Sequence, residues 1–388
     1  MGNAPVPSSP MNAAATTSAR RRRPPLSPRL SPVARLRRVL VLALLMSSTL
    51  VVVSYATTML GPSNSSLTIR SFEWLRDHGA AGFATSIETI YYSLNAPATG
   101  GPALRKLPLR PRPSVASIHP PNVAPLISPA LRGEGVWVPA ETWSGGDSPV
   151  QIAQFRSDPS YPQMVAGVAW IDTRHTFVQL YPGRLEPSVS LPRGPMEVPP
   201  DKRPVLLATF NSAFKLADSG GGVAMGGRTY SPLKDGLATL IGYADGRIDI
   251  QSWAGAPDIT PSVRFARQNL PLIVSGGRPN PNLSDGPEWG ATLGNAVRVW
   301  RSGLGVDANG NLIYAAADNQ TVASLAEILI RAGAVRAMEL DINSYWVTFI
   351  SYAQRGARDA SSLLPGMTRG PDRYLTPDDR DFFAVYLR

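Results

Sequence analysis

No charged residue occurs from Val39 to Leu60 (VLVLALLMSSTLVVVSYATTML), and an arginine cluster stands directly before this run. At about 1.5 Å of rise per residue, an apolar helix of this length crosses a hydrocarbon core of roughly 30 Å. No polar face interrupts it, so a soluble amphipathic helix fits poorly. Arg20 to Arg23, Arg29, Arg35, Arg37 and Arg38 precede the run, and the next charge is Arg70. Positive residues favour the cytoplasmic side. The expectation is a signal anchor over 39–60 in the cell membrane, single-pass, with a cytoplasmic N-terminus and an extracytoplasmic C-terminal domain. A cleaved signal peptide is the competing reading, but the stretch before the apolar core is long and no A-x-A site stands just after it.

The same cluster accounts for the charge. The net charge is +10, and the eight arginines before residue 70 leave only +2 for everything after. A basic balance confined to a tail argues against nucleic acid as a partner. Cysteine is absent, which excludes disulfides, thiolate metal sites and a cysteine nucleophile. His78, His119 and His175 lie far apart and no G-x-S-x-G occurs, so a Ser-His-Asp triad has little support. No cluster calls for a metal, and no cofactor is expected.

Residues 1–38, rich in Ala, Pro, Ser and Arg, read as a disordered basic tail. Residues 61–132 read as a juxtamembrane helix, over about 70–94, followed by a Pro-rich spacer over 97–130 without acidic residues. Composition changes at Gly133-Glu134-Gly135-Val136-Trp137, and residues 133–388 read as the folded domain. Expected strands there are Met164–Ile171, Thr176–Tyr181, Val205–Phe210, Ala238–Tyr243, Arg247–Trp253, Leu270–Val274, Val297–Trp300, Asn311–Ala315 and Val335–Leu340. Asp245-Gly246 and Asn309-Gly310 are hairpin signals. The best helix is Thr321–Ala332, capped by Thr321 or Ser324, with a Ser324-x-x-Glu327 box and Gly333 as its stop. Many strands with few helices predict an α+β domain, a single mixed β-sheet with a few packed helices.

Apolar runs in this domain end in polar residues. The run reaching Phe210 meets Asn211, the one reaching Trp300 meets Arg301, and LPLIV leads to Ser275-Gly276-Gly277. RAMELDIN ends in Glu339, Asp341 and Asn343, which alternation places on one side of a strand. Polar groups at strand ends commonly converge on a site.

The series TFNSAF, KDGLATLIGYADGRIDI, RQNLPLIVSGG, RSGLGVDANGNLIYA and SLAEILIRAGAVRAMELDIN resembles the phosphodiester glycosidase family over roughly residues 133–355. By that resemblance Asn211 and Phe214 match an N-x-x-F segment, Arg301 opens an R-[ST]-x-x-G segment, and Asp341 matches the Asp of an L-D-G-G-G-S segment. The chain departs from the family at Ser275 and after Asp341, where Ile342, Asn343, Ser344, Tyr345 and Trp346 replace glycines. The resemblance implies a hydrolase that cleaves a glycosyl-1-phosphodiester in a cell-envelope sugar phosphate. Arginine outnumbers lysine 34 to 4, as in a GC-rich genome, pointing to a bacterial, actinobacterial branch.

Such a substrate needs a cation for the phosphate and a carboxylate near the anomeric carbon. Arg301 would hold two phosphate oxygens in a fork. Asp341 would act as nucleophile or activate a water, with Glu339 as its partner. Asn211 would hydrogen-bond sugar or phosphate, and Gly276 and Gly277 would admit the ligand to backbone amides. Each has a structural alternative. Arg301 would pair with a buried carboxylate, Asp341 tie down the next turn, Glu339 face solvent at a sheet edge, and Asn211 hold a left-handed turn. Trp289, Trp346 and His175 read as packing residues, and Gly220-Gly221-Gly222 with Gly226-Gly227 as a mobile loop. The rival function is a catalytically silent domain that binds envelope glycans or organises the wall.

Overall fold

The computed structural model describes residues 2, 31–80, 86, 94, 96–108, 119–141, 143–144, 148–189, 193–284, 286–290 and 297–388. Most of the expected tail, much of the expected 70–94 helix and residues 109–118 of the expected spacer lie outside them. Residues 1–57 and 58–388 form separate compact units.

In the first unit the described element is the helix Pro32–Leu60, with Pro32 in its first turn and the Ser31 hydroxyl accepting from Ala34 N. Among the described residues it is the one helix long and apolar enough to cross a membrane. Three of its hydroxyls are satisfied within the helix: Ser47, Thr49 and Thr57 donate to the carbonyls of Ala43, Leu45 and Val53 at 2.8–2.9 Å.

The second unit is α+β, as expected, but its strands form three sheets rather than one. Eight strands make the largest, in the order Val138–Pro139, Val150–Arg156, Val165–Ile171, Leu312–Gln320, Val299–Val306, Arg336–Glu339, Val274–Ser275, Arg278–Pro279. A five-stranded sheet runs Arg228–Ser231, Val223–Met225, Val263–Gln268, Ala238–Tyr243, Ile248–Ser252. The other runs Arg358–Ser362, Phe349–Gln354, Leu206–Asn211, Phe382–Leu387, Thr176–Tyr181. Neighbouring strands are antiparallel throughout the described residues.

Alternation assigns the faces. Along Leu312–Ala317, Leu312, Tyr314 and Ala316 enter the core shared with the other two sheets, while Ile313, Ala315 and Ala317 face the helix Val322–Arg331. That helix buries Val322, Leu325, Ala326 and Leu329. Its cap is a reciprocal pair, Ser324 N to Thr321 Oγ1 at 3.1 Å and Thr321 N to Ser324 Oγ at 2.9 Å, in place of the expected Ser324–Glu327 box. Gly333 ends it at φ +104°. Both expected hairpin glycines, Gly246 and Gly310, take positive φ between paired strands.

One expected turn is a strand. Val299–Val306 continues through Ser302-Gly303-Leu304-Gly305, which looked like a break after Trp300. The glycines are there because the sheet is crossed closely: a Cβ on Gly303 would meet Leu329 Cδ1 at 2.9 Å, and one on Gly305 would meet Ala334 Cβ at 2.7 Å.

The folded unit also begins well before residue 133. Val123 is buried, its N–H donates to Gly135 O at 2.9 Å, and Trp137 Nε1 donates to Pro121 O at 3.1 Å. Arg156 Nη2 donates to the carbonyls of Ile127 and Pro129 at 2.8 Å. Further upstream, Asn64 Nδ2 donates to Asp378 Oδ2 at 3.0 Å and Ser65 Oγ to Asp379 Oδ2 at 2.8 Å. A chain starting at 133 is therefore expected to be less stable than one starting at 58 by roughly 3–5 kcal/mol, from one lost valine and several buried polar contacts. Urea unfolding of the two measures this; equal midpoints would show these contacts to be idle.

Candidate active site

Two strand ends bring the predicted carboxylates together. Arg336–Glu339 pairs with Val299–Val306, setting Glu339 opposite Gly303, with Arg301 on the same, helix-side face. Arg301 Nη1 lies 2.5 Å from Glu339 Oε1, both buried. The guanidinium also donates through Nη1 to Trp289 O at 3.1 Å and through Nε to Gln320 O at 3.0 Å. Only Nη2 is left for anything else, so Arg301 no longer offers the two-point fork expected for phosphate.

Past Glu339 the chain leaves the strand, and Asp341 N donates to Ser212 O at 3.2 Å. The Asp341 carboxylate is held on one side by Arg380 Nη2 at 2.8 Å and on the other by Asn343 N at 2.9 Å. Arg380 also donates to Ala213 O at 3.2 Å. The two carboxylates thus sit near each other but on different arginines. Asn343 does not join them as a third side chain; its Oδ1 accepts from Tyr345 N at 3.0 Å and shapes the following turn.

Asn211 is brought to the same place, from behind. Its Nδ2 donates to Ser212 O and to Ser302 Oγ, while its Oδ1 accepts from Tyr314 Oη and Thr348 N, all at 2.9–3.0 Å. Ser302 Oγ in turn donates to Asp341 O at 2.7 Å. Asn211 is buried and fully engaged; it fixes the backbone at Asp341 rather than presenting itself to a sugar. Asn269 does the same for the other carboxylate, donating to Glu339 O at 2.7 Å.

Gly276 and Gly277 are not part of this group. They form the turn between Val274–Ser275 and Arg278–Pro279, at φ +59° and +71°, and Gly277 N donates to Val335 O. Val335 precedes the strand whose far end carries Glu339, so the glycines occupy its opposite end. Trp289 and Trp346 are buried packing residues, as expected; Arg369, Arg373 and Arg380 lie 5.3–5.4 Å from the Trp346 ring centre. His175 pairs with Asp172 at 2.9 Å. Gly222, expected in a mobile loop, is packed instead: its N–H donates to Gln268 Oε1, and a Cβ would meet Pro232 O at 2.4 Å.

Several members of the group were not singled out from sequence. Arg380 comes from Asp378-Asp379-Arg380-Asp381, a charge run that resembles a solvated loop but is buried at every position. Asp381 pairs with Arg267 at 2.7 Å, and Arg267 also donates to Phe214 O at 2.6 Å. Glu186 is buried beside them and accepts from Leu216 N. The available signals were the charges just before the apolar run Phe382–Leu387 and an arginine inside Val263–Gln268.

Burial pushes the Glu339 carboxyl up to about 7, against the pull of Arg301, and the nearby Asp341 adds to the rise. Asp341 is also raised by burial, with Arg380 opposing. Glu339 in the folded state therefore keeps a proton that the unfolded chain releases near 4.5. Its contribution to stability is complete below that value and is lost as pH rises through about 7, a fall on the order of 3 kcal/mol. Glu339→Gln should remove this part of the pH dependence. Melting temperatures of the two proteins from pH 4 to 8 test it, and parallel curves would refute it.

A family model described as phosphodiester glycosidase matches residues 208–341. The matched stretch holds Asn211, Arg267, Arg301, Glu339 and Asp341; Arg380, Asp381 and Glu186 lie outside it. Among solved structures, the chain is similar to the catalytic domain of zebrafish N-acetylglucosamine-1-phosphodiester alpha-N-acetylglucosaminidase, auto-inhibited by its pro-peptide. That likeness has 16% identity over 65% of this chain and 87% of that one, with a TM-score of 0.41. A hypothetical protein from Synechocystis is similar at 14% identity over 62% and 63% of the two chains, with a TM-score of 0.36. No curated protein matches the chain. The family match points to phosphodiester glycosidases in general, and it does so through the stretch that carries both carboxylates.

Proposed function

We propose that the protein is a hydrolase of the phosphodiester glycosidase type, cleaving a glycosyl-1-phosphodiester in a cell-envelope sugar phosphate. The Pro32–Leu60 helix would anchor it in a bacterial membrane, with the N-terminus cytoplasmic and the catalytic unit outside. The observation that carries the reading is that Asp341, paired with Arg380, stands near Glu339, both carboxylates lying inside the family-matched stretch.

Asp341 is the group assigned to the anomeric carbon, as nucleophile or as the base that activates water. In either case the C1–O bond breaks, water supplies the hydroxyl to C1, and the phosphomonoester departs. A phosphate leaving group needs little proton assistance, so one working carboxylate is enough. Glu339 lies behind it, buried against Arg301, where its charge state tunes the field at Asp341. No cofactor enters this scheme.

The near-complete burial of both carboxylates favours a second reading, a glycan-binding domain without turnover. Incubating the full chain in detergent micelles with methyl phosphodiesters of N-acetylglucosamine, glucose and mannose 1-phosphate separates the two. Release of free sugar with methyl phosphate is the expected result. Saturable glycan binding with no hydrolysis across the panel would establish the second reading instead.

A further inference from the structure

The sequence puts a Pro-rich spacer between the apolar helix and the folded domain, yet the chain is fastened well before that spacer. Arg70, on the helix Leu67–Asp77, donates through Nη2 to the carbonyls of Thr58 and Gly61, the latter at 2.8 Å. Thr58 lies in the last turn of the Pro32–Leu60 helix, where carbonyls lack helical partners and a cation is favoured. Ser63 and Ser65 both donate to Asp379 Oδ2, Ser65 at 2.8 Å. Asn64 Nδ2 donates to Asp378 Oδ2 and to Arg373 O, each at 3.0 Å. Arg369 donates back, to Ser65 Oγ and Asn64 Oδ1 at 3.1 Å. Glu73 to Lys215 at 2.5 Å and Arg76 to Asp218 at 2.6 Å then hold the helix Leu67–Asp77. All these residues belong to the unit 58–388.

The spacer adds nothing to the reach. Gln163 Nε2 donates to Ala98 O at 2.9 Å and Gly100 N to Ser160 O at 3.0 Å, while Val123 pairs with Gly135, so both described ends return to the folded unit. As a free extended segment, residues 97–130 would carry the domain roughly 100 Å from the helix. Instead, at most about 18 Å of chain separates Leu60 from Ser65. Asp379, which Ser65 bonds, adjoins Arg380, the partner of Asp341. Three exposed leucines surround this fastening: Leu60, Leu67 and Leu185, whose N–H donates to Asp379 O at 2.9 Å. Directly after an apolar helix, such side chains suit the boundary between headgroups and acyl chains.

We propose that the substrate of the Asp341 site is a glycosyl 1-phosphate esterified to a membrane lipid alcohol and taken at the bilayer surface. A phosphodiester in a polymer standing clear of the bilayer is beyond the reach of so short a tether. The inference rests on the anchored-hydrolase reading, for both the reaction and the anchor. Hydrolysis breaks the bond from C1 to the bridging oxygen, which departs with the phosphorus, and water supplies the hydroxyl to C1. The second proton of that water ends on the lipid phosphate monoester or in solvent. The monoester stays in the membrane and the sugar is released.

The test places the full chain in nanodiscs with N-acetylglucosamine, glucose and mannose 1-phosphates, each esterified to hexadecanol in the disc or to methanol in solution. The lipid esters are expected to turn over about tenfold faster or more at equal bulk concentration, because the tether concentrates enzyme and substrate on one surface. Five EAAAK repeats inserted between Gly61 and Pro62 add a stiff helix of about 37 Å. This insert should lower the lipid-to-methyl rate ratio about tenfold; taking the ratio within each protein cancels any loss of folded fraction. A second readout needs no turnover. The chain has no cysteine, so Thr376→Cys, exposed and two residues from Asp378, takes a single dye. Energy transfer from it to acceptor-labelled headgroups should be strong with the native link and several-fold weaker with the insert. Equal rate ratios in the two proteins, no preference for lipid esters, or weak transfer with the native link each overturn the proposal. Hydrolysis of the methyl esters alone keeps the hydrolase reading and sinks this one. Strong transfer with no ester hydrolysed retires the hydrolase reading, and the lipid substrate with it.

Discussion

Asp341→Asn is expected to lower turnover about a hundredfold or more, the usual scale for losing a general base. Asparagine retains the size of the side chain and an oxygen for Asn343 N, but it removes the charge that faces Arg380 at 2.8 Å. The variant should also melt earlier, because a buried guanidinium without its carboxylate is costly. Turnover must therefore be measured well below the variant's own melting point, with the fraction folded checked by circular dichroism. A folded Asp341→Asn protein with near-normal turnover would remove Asp341 from the chemistry. A loss confined to KM would make it a binding group rather than a base or nucleophile.

Arg301→Met should show the other large effect, and on stability rather than on ligand binding. The substitution leaves Glu339 in the sheet without its cation and strands the carbonyls of Trp289 and Gln320. Measured at pH 8, where Glu339 beside Arg301 is ionised, breaking a buried pair in this way costs about 3–5 kcal/mol. Arg301→Lys should fall between the two proteins, since a single ammonium cannot reproduce three directed contacts. Removing both charges, as in Arg301→Met with Glu339→Leu, should recover much of the loss, because the unpaired charge rather than the missing attraction dominates it. Urea midpoints measure all three. A double variant no more stable than Arg301→Met would contradict this account.

Sequence reasoning found the parts of this fold whose signals are local. The Val322–Arg331 helix carries its own cap, apolar stripe and stop, and the Asp245-Gly246 and Asn309-Gly310 turns carry their positive-φ residues. Long-range facts were less visible. Gly303 and Gly305 looked like a break because the residues that crowd a side chain there, Leu329 on the helix and Ala334 after it, lie elsewhere in the chain. Phe382–Leu387 and Val150–Arg156 were passed over, although both are strands of the core. For the site, Glu339, Asp341, Arg301 and Asn211 were legible as polar residues at strand ends, and the structure does gather them. Their partners were not. Nothing in Asp378-Asp379-Arg380-Asp381 reveals that each charge meets a different buried neighbour, and nothing in the upstream helix announces that Glu73 reaches Lys215.

The position of Phe382–Leu387 has a consequence for how the molecule is made. This strand lies inside its sheet, between Leu206–Asn211 and Thr176–Tyr181, and joins both. Those two strands are synthesised first and wait for a partner that emerges roughly 10 to 40 s later, at about 5–20 residues per second. Until then they present open backbone edges, the kind that pair with neighbouring chains. Arg380 and Asp381 arrive with the same late segment, so the carboxylate at Asp341 has no cation before it. A nascent chain halted before residue 380 is thus prone to self-association and leaves Asp341 without its partner.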